Sequence, residues 1–355
     1  MDRRCPKGAF MTEEKTVDVK ALKDASPIIF YTFEYLSDSA RFHTLLEERF
    51  RNTGHTRRIE FRHWDCYHEI PDTDGDIYAY DACTMSALVD KGIIRVLPEV
   101  IDTGNVFDWI LDRSRIRGKT YGFPFMTCAN VLICRKKDYT PVNNIFEIEG
   151  GLSAPLKSMI GYYNVLAFCN YQDRGEGSLS AIAGIFRAIG GHRAFEESKL
   201  DAEKVIDKFR SGECRYLLGF TENLRFLERD EYVVQLANLS ENVINEMPLF
   251  MTDFISMGCS TSGEKLLDCL DIMEIVTDSS FIRDLCTGEN GLEYMLPADK
   301  TLYPIFAKQD PVYEQLYDMV SDENNGILRY NSNFYEEFDL RKAQLLDIVQ
   351  RMEDV

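Results

Sequence analysis

The chain has 355 residues, 45 % of them hydrophobic and 28 % charged, with a formal net charge of −19. That length suits about two globular domains and that apolar content a large core, which excludes a disordered or fibrous chain. An acidic balance of this size argues against nucleic acid or an anionic membrane as a partner; it marks a soluble protein and mildly favours a cationic ligand.

The first 25 residues read as a polar tail. They contain no apolar core of a secretory signal, and no window of the chain approaches a membrane span. The 10 cysteines are scattered and include no C-x-x-C pair, so neither a zinc ribbon nor a thioredoxin motif is expected. Free thiols in a reducing cytoplasm are the expectation, although the mature form of an exported protein would read the same way.

Order begins with a β-rich run over residues 27–33. Ser37 or Asp38 is placed to cap a helix whose apolar stripe is Phe42, Leu45, Leu46 and Phe50, closed by Gly54. Strands follow over 58–65 and 76–81, then a helix over 85–91 stopped by Gly92. This β-α-β-β-α order suits a mainly parallel sheet. Residues 121–137 read as one long buried strand: Pro124 keeps the chain extended, an apolar run follows, and three cations end it at Arg135. A small polar cluster, Thr127-Cys128-Ala129-Asn130, lies in its middle. Gly150 and Gly151 form a link to a short apolar run over 162–168. Helices are expected over 181–189 and 202–210. A strand over 214–219 runs into Phe220-Thr221-Glu222-Asn223, and another spans 249–257. Helices over 264–277, 311–320 and 336–352 complete the chain, with no internal repeat.

Several constellations invite chemistry. His63, Cys66 and His68 are good metal ligands. In an extended chain, however, His63 falls on one face and the other two on the opposite one, so they do not converge. Gly175-Glu176-Gly177 and Gly190-Gly191 lack the context of a nucleotide-binding loop. Tyr31, Phe33, Tyr35, Trp64, Tyr67, Tyr78 and Tyr80 fall near the C-terminal ends of the first three strands, beside Asp65 and Asp81. That is the edge where open α/β sheets bind ligands, and equally a place for core aromatics and capping aspartates. Cys128 in apolar surroundings is an inert thiol unless a base generates its thiolate. No histidine flanks it. Glu222, at a strand-to-helix turn, could serve if burial lifts its pKa; otherwise it is a first-turn glutamate that complements a helix dipole.

Six landmarks in order make the chain resemble the thiaminase I (thiamine pyridinylase) family over about residues 30–330. They are Tyr31-Thr32-Phe33 followed by Asp38-Ser39-Ala40-Arg41-Phe42; Trp64-Asp65-Cys66-Tyr67; Asp76-Ile77-Tyr78-Ala79-Tyr80-Asp81; Tyr121-Gly122-Phe123-Pro124 with Cys128-Ala129-Asn130-Val131-Leu132; Gly219-Phe220-Thr221-Glu222-Asn223; and Pro248-Leu249-Phe250-Met251-Thr252-Asp253. The resemblance implies a two-lobed α/β fold of the type II periplasmic-binding-protein kind. Each lobe would be a mainly parallel sheet flanked by helices, with the active site in the interlobe cleft. Residues 26–125 and 256–330 would form lobe one, 126–255 lobe two, and 331–355 a C-terminal helix packed on both.

The resemblance further implies a transferase that displaces the thiazole of thiamine by a small amine or thiol, needs no metal or organic cofactor, and works as a monomer. Cys128 matches the family's nucleophile and Glu222 its base. Asp81 and Asp253 match acidic pocket positions that would hydrogen-bond the aminopyrimidine. Tyr31, Phe33, Tyr67, Phe220 and Met251 match ring-stacking or wall positions. Phe33, Phe220 and Met251 stand where the family pattern carries tyrosines, and each change removes a phenol hydrogen bond of about 0.5–1.5 kcal/mol. Two other readings share these residues: a non-catalytic binding protein of the same fold, and a related transferase acting on another pyrimidine.

Overall fold

A computed structural model describes residues 26–33, 35–36, 39–71, 74–98, 103–142, 147–148, 151–154, 188–190, 202–228, 231–236, 249–287, 291–327, 329, 332–336 and 340. In chain order the elements are β1 (Ile28–Thr32), α1 (Ala40–Asn52), β2 (Ile59–His63), β3 (Ile77–Asp81), α2 (Met85–Asp90) and α3 (Asp108–Ser114). Then come β4 (Phe123–Cys128), β5 (Asn130–Arg135), β6 (Leu152–Ser153), α4 (Ala202–Ser211), β7 (Tyr216–Phe220), β8 (Tyr232–Leu236) and β9 (Leu249–Met257). The chain closes with α5 (Glu264–Thr277), α6 (Ser279–Cys286), β10 (Leu296–Pro297), α7 (Tyr303–Phe306), α8 (Val312–Val320) and β11 (Gly326–Ile327).

The strands form two sheets. The first runs β10-β4-β9-β3-β1-β2, with β11 also on β9; the second runs β6-β7-β5-β8. Both are mixed, which corrects the expectation of mainly parallel sheets. β1 is parallel to β2 and β3, but β9 is antiparallel to β3 and β4. In the second sheet β5 is antiparallel to both β7 and β8. The reason is connectivity: β9 re-enters the first sheet after the second is built and inserts between β3 and β4 against their direction.

The run over 121–137 is two strands, not one. β4 belongs to the first sheet, β5 to the second, and Ala129 alone separates them. Apolar continuity hides the break because both strands are buried, and periodicity carries no record of which sheet a strand joins.

Caps decide the helix starts. The α1 cap is Ser39, whose side chain accepts the Phe42 N–H at 3.1 Å, in place of the expected Ser37 or Asp38; those two lie outside the described residues. Phe42, Leu46 and Phe50 form its buried stripe, and Phe42 packs edge-on against Phe30 of β1 and Phe281 of α6. The sequence pattern passes over α3, β8 and α6. α6 starts at Asp278, whose carboxylate accepts the N–H groups of Ser280 and Phe281, and buries Phe281, Ile282, Leu285 and Cys286. Residues 1–25, the run over 162–168, and nearly all of the helices expected over 181–189 and 336–352 lie outside the described residues.

The β3–β9 register sets Asp81 opposite Asp253, and Gly258 guards it. Its N–H donates to the Asp76 carbonyl at 2.9 Å, and a Cβ there would meet the Gly75 carbonyl oxygen at 2.1 Å. Backbone cannot yield as a side chain does. Gly258→Ala should therefore lower stability by about 2–3 kcal/mol, read as a reduced urea midpoint with an unchanged slope.

Candidate active site at the sheet crossover

Register places the first group of candidate side chains. Cys128 ends β4 opposite Met251 of β9, and two residues further along β9 Asp253 stands opposite Asp81 of β3. Opposed residues of an antiparallel ladder share a face, and every second residue returns to it. Cys128, Met251, Asp253 and Asp81 therefore occupy one face of the first sheet. On the other face the Thr127 and Thr252 hydroxyls lie 3.0 Å apart, and Thr127 also donates to the Met251 carbonyl at 3.0 Å, which locks the pairing.

Asp81 is 2 % exposed. One carboxylate oxygen caps the following 3₁₀ turn by accepting the Cys83 N–H at 2.8 Å, and the other accepts the Tyr67 hydroxyl at 3.1 Å. These bonds favour the ionised form, but burial outweighs them and lifts the pKa to about 6. Its neighbour Asp253 accepts a hydrogen bond from the Tyr35 hydroxyl. Burial first, then the Asp253 charge, pushes the Tyr35 phenol well above its ordinary range, so it stays a donor. A raised carboxyl pKa means that the folded state holds a proton the unfolded chain has released. The contribution of Asp81 to stability is thus full below its ordinary value near 3.8 and is lost as pH rises through about 6. Between those values the urea midpoint of the wild type should fall relative to that of Asp81→Asn, which has no proton to lose; parallel curves would contradict this.

The second sheet supplies the carboxyl of Glu222. β7 ends at Phe220, paired with Asn130 at the start of β5, and leads into a 3₁₀ turn over Thr221–Phe226. Asn223 folds back to accept the Phe220 N–H at 2.9 Å, and a Cβ at Gly219 would meet its amide oxygen at 2.3 Å. A side chain at 219 would displace Asn223 from that bond, which favours glycine there. The turn holds Glu222 with one carboxylate oxygen buried and without a hydrogen-bond partner. Burial raises its pKa to about 7, a shift that its own backbone N–H and the Arg225 charge only partly oppose. The Cys128 thiol is pushed well above 9, first by burial and then by the charges of Glu222, Asp253 and Asp81. No cation figures among these influences. The thiolate is therefore not preformed, and Glu222 is the acid that weighs most on it.

The structure thus brings Cys128, Glu222, Asp81, Tyr67, Met251 and Asp253 into one neighbourhood. Phe220 lies at its edge, half-buried at the end of β7. Phe33 is buried and packs against Tyr35, with ring centroids 6.0 Å apart. Tyr31 is placed in the aromatic core of the first lobe, stacked on Tyr78 at 5.5 Å and edge-on to Trp64. Of the candidate metal ligands, His68 lies 2.7 Å from Asp65, while Cys66 is buried beside Asp81.

Sequence reasoning did not assign Tyr35, Asn130 or Thr221 to the site. Asn130 Nδ2 and Thr221 Oγ1 are buried without a partner, as is Glu222 Oε2, and all three flank the paired ends of β5 and β7. Buried polar atoms are nearly always hydrogen-bonded, so such a group calls for an explanation. The local signal was the polar cluster around Cys128, and Thr221 directly before Glu222.

No family model matches the chain. Thiaminase-1 of Paenibacillus thiaminolyticus is 22 % identical over 337 residues, spanning 84 % of this chain and 82 % of that protein. Thiaminase I of Clostridium botulinum, solved in complex with thiamin, superposes with a TM-score of 0.80 at 19 % identity, covering 92 % of this chain and 100 % of that one. Maltose-bound MalE3 of T. maritima superposes with a TM-score of 0.66 at 12 % identity, covering 92 % and 95 %.

The architecture is that of the two-lobed, periplasmic-binding-protein-like α/β proteins, with its polar cluster where the chain passes from one sheet to the other. Within that class the chain is similar in sequence to Thiaminase-1 and in fold to thiaminase I.

Proposed function

We propose that this protein is a transferase of the thiaminase I type, which exchanges the thiazole of thiamine for a small amine or thiol. The observation that carries this reading is the juxtaposition of the half-buried Cys128 thiol with Glu222, a carboxyl whose pKa of about 7 suits a base at neutral pH. Asp81 and Asp253 on the same face suit a cationic, amino-substituted ring.

In the proposed reaction the Cys128 proton passes to Glu222 and Sγ bonds to a carbon of the pyrimidine ring. The ring then loses its aromaticity, and its electrons expel the thiazole: the methylene–nitrogen bond breaks and its pair leaves with the nitrogen, now neutral. The acceptor gives its proton to water and bonds to the methylene. The bond between ring carbon and Sγ breaks, aromaticity returns, and the thiolate recovers its proton from Glu222. One proton is released overall. Burial helps this sequence, because a desolvated thiolate and a poised base act without competing water.

Mass spectrometry of the protein with thiamine and aniline should show the base-exchanged pyrimidine and free thiazole. With no acceptor, an adduct should accumulate on Cys128. Intact thiamine after prolonged incubation would dismiss the activity. Met251 and Phe220, where the family pattern has tyrosines, support a second reading as a binding protein; calorimetric binding of thiamine without any product would favour it.

A further inference from the structure

Beside the reacting groups lies a cleft of about 870 Å³, walled by α1 of the first lobe and by the turn that carries Glu222. Its lining includes Tyr35, Ser39, Arg41, Thr44, Glu48 and Arg225. Two contacts join it to the site. The Tyr35 hydroxyl donates to Asp253, and Arg225 sits three residues beyond Glu222 on the same 3₁₀ turn, where its charge acts on that carboxyl.

The charge of this cleft differs from that of the site it adjoins. The three acids Asp81, Asp253 and Glu222 gather around Cys128. The cleft lining holds two guanidiniums against one carboxylate, Glu48, in a chain whose net charge is −19. Neither guanidinium forms an ion pair with a carboxylate among the described residues. Arg41 gives Nε and Nη2 to the Asp284 carbonyl, with the Nε bond at 2.8 Å, and a carbonyl leaves its charge uncompensated. The Asp284 carboxylate is taken by Arg49 and Arg283. Arg225 is exposed, with its guanidinium 4.7 Å from the Phe226 ring centroid. Guanidiniums that form no ion pair, beside an acidic site, are suited to an anion.

Resting on the transferase reading above, we infer that Arg41 and Arg225 bind, in this adjoining cleft, an anionic group carried by one of the two reactants. That group is either a carboxylate on the acceptor amine or thiol, or a phosphate ester on the departing thiazole. The acids of the site serve the cationic ring, and the arginines of the adjoining cleft serve the anion. Together they orient a reactant pair of opposite polarity, and chemistry at the methylene is unchanged.

The test uses the full chain, Arg41→Gln and Arg225→Gln. In one arm, thiamine reacts with 3-mercaptopropionate or with 2-mercaptoethanol. In the other, 2-mercaptoethanol reacts with thiamine monophosphate or with thiamine. The readout is the anionic-to-neutral ratio of kcat/KM, from which intrinsic reactivity and any general loss in a variant cancel. In the arm whose reactant carries the anion, the ratio should fall about tenfold in each variant, the scale of one charge-assisted hydrogen bond, and the fall should shrink in high salt. Arg225 is exposed, so its variant keeps the fold even if Arg41→Gln disturbs the α1–α6 contact. Turnover with ratios unmoved in both arms overturns the anion site alone. Absence of turnover in every combination overturns the activity, and the site with it.

Discussion

Cys128→Ala is expected to abolish thiazole release, lowering turnover by at least about 10⁴-fold, the scale on which loss of a covalent nucleophile acts. The fold should barely respond. The side chain is only partly buried, it loses one sulfur atom, and the β4–β9 pairing rests on Thr127 and Thr252, which are untouched. The cost should stay within about 1–2 kcal/mol. The variant should still bind thiamine, and it should show no mass adduct. Cys128→Ser separates chemistry from packing. An alkoxide lies further from neutral pH than a thiolate, so serine fills the space and still fails. Wild-type rates in either variant would remove the nucleophile from the mechanism. They would also leave the thiol, already pushed up by burial and by three acids, as a packing group.

The elements most legible in the sequence are those with a long, uninterrupted local pattern. β9, α5 and the apolar stripe of α1 fall where alternation or helical spacing places them, because their burial is one-sided or complete along their whole length. What could not be read locally is where strands change partners. The break at Ala129 separates two strands of equal apolarity, and only hydrogen bonding to β9 on one side and β7 on the other reveals it. The site follows from that break. Cys128 and Asn130 sit at the ends of strands in different sheets, so a four-residue cluster bridges the two sheets. Glu222 could be proposed from its turn, but its pKa near 7 depends on burial by residues distant in sequence. Tyr35 lies just past the end of β1 and shows its role only through Asp253, which is 218 residues away in the chain.

Glu222→Gln should slow turnover by about 10²–10⁴-fold, the contribution of a positioned general base, with little change in thiamine affinity. The wild-type rate should rise with pH through about 7 as the carboxylate forms, and the variant should lose that limb. Stability should move the other way. Because burial raises this pKa, the folded protein keeps a proton that the unfolded chain gives up near 4.5, so stability falls as pH rises from there through about 7. Glutamine is neutral at every pH and escapes that loss. Above pH 7 the variant should unfold at a higher urea concentration than the wild type, with the difference vanishing below pH 4. A variant that is more stable and less active at the same pH is what the proposed base demands, since the desolvation that raises the Glu222 pKa is what glutamine avoids. A variant less stable than the wild type at pH 8 would mean that the carboxylate is held by favourable contacts, and its place as the base would fall with that result.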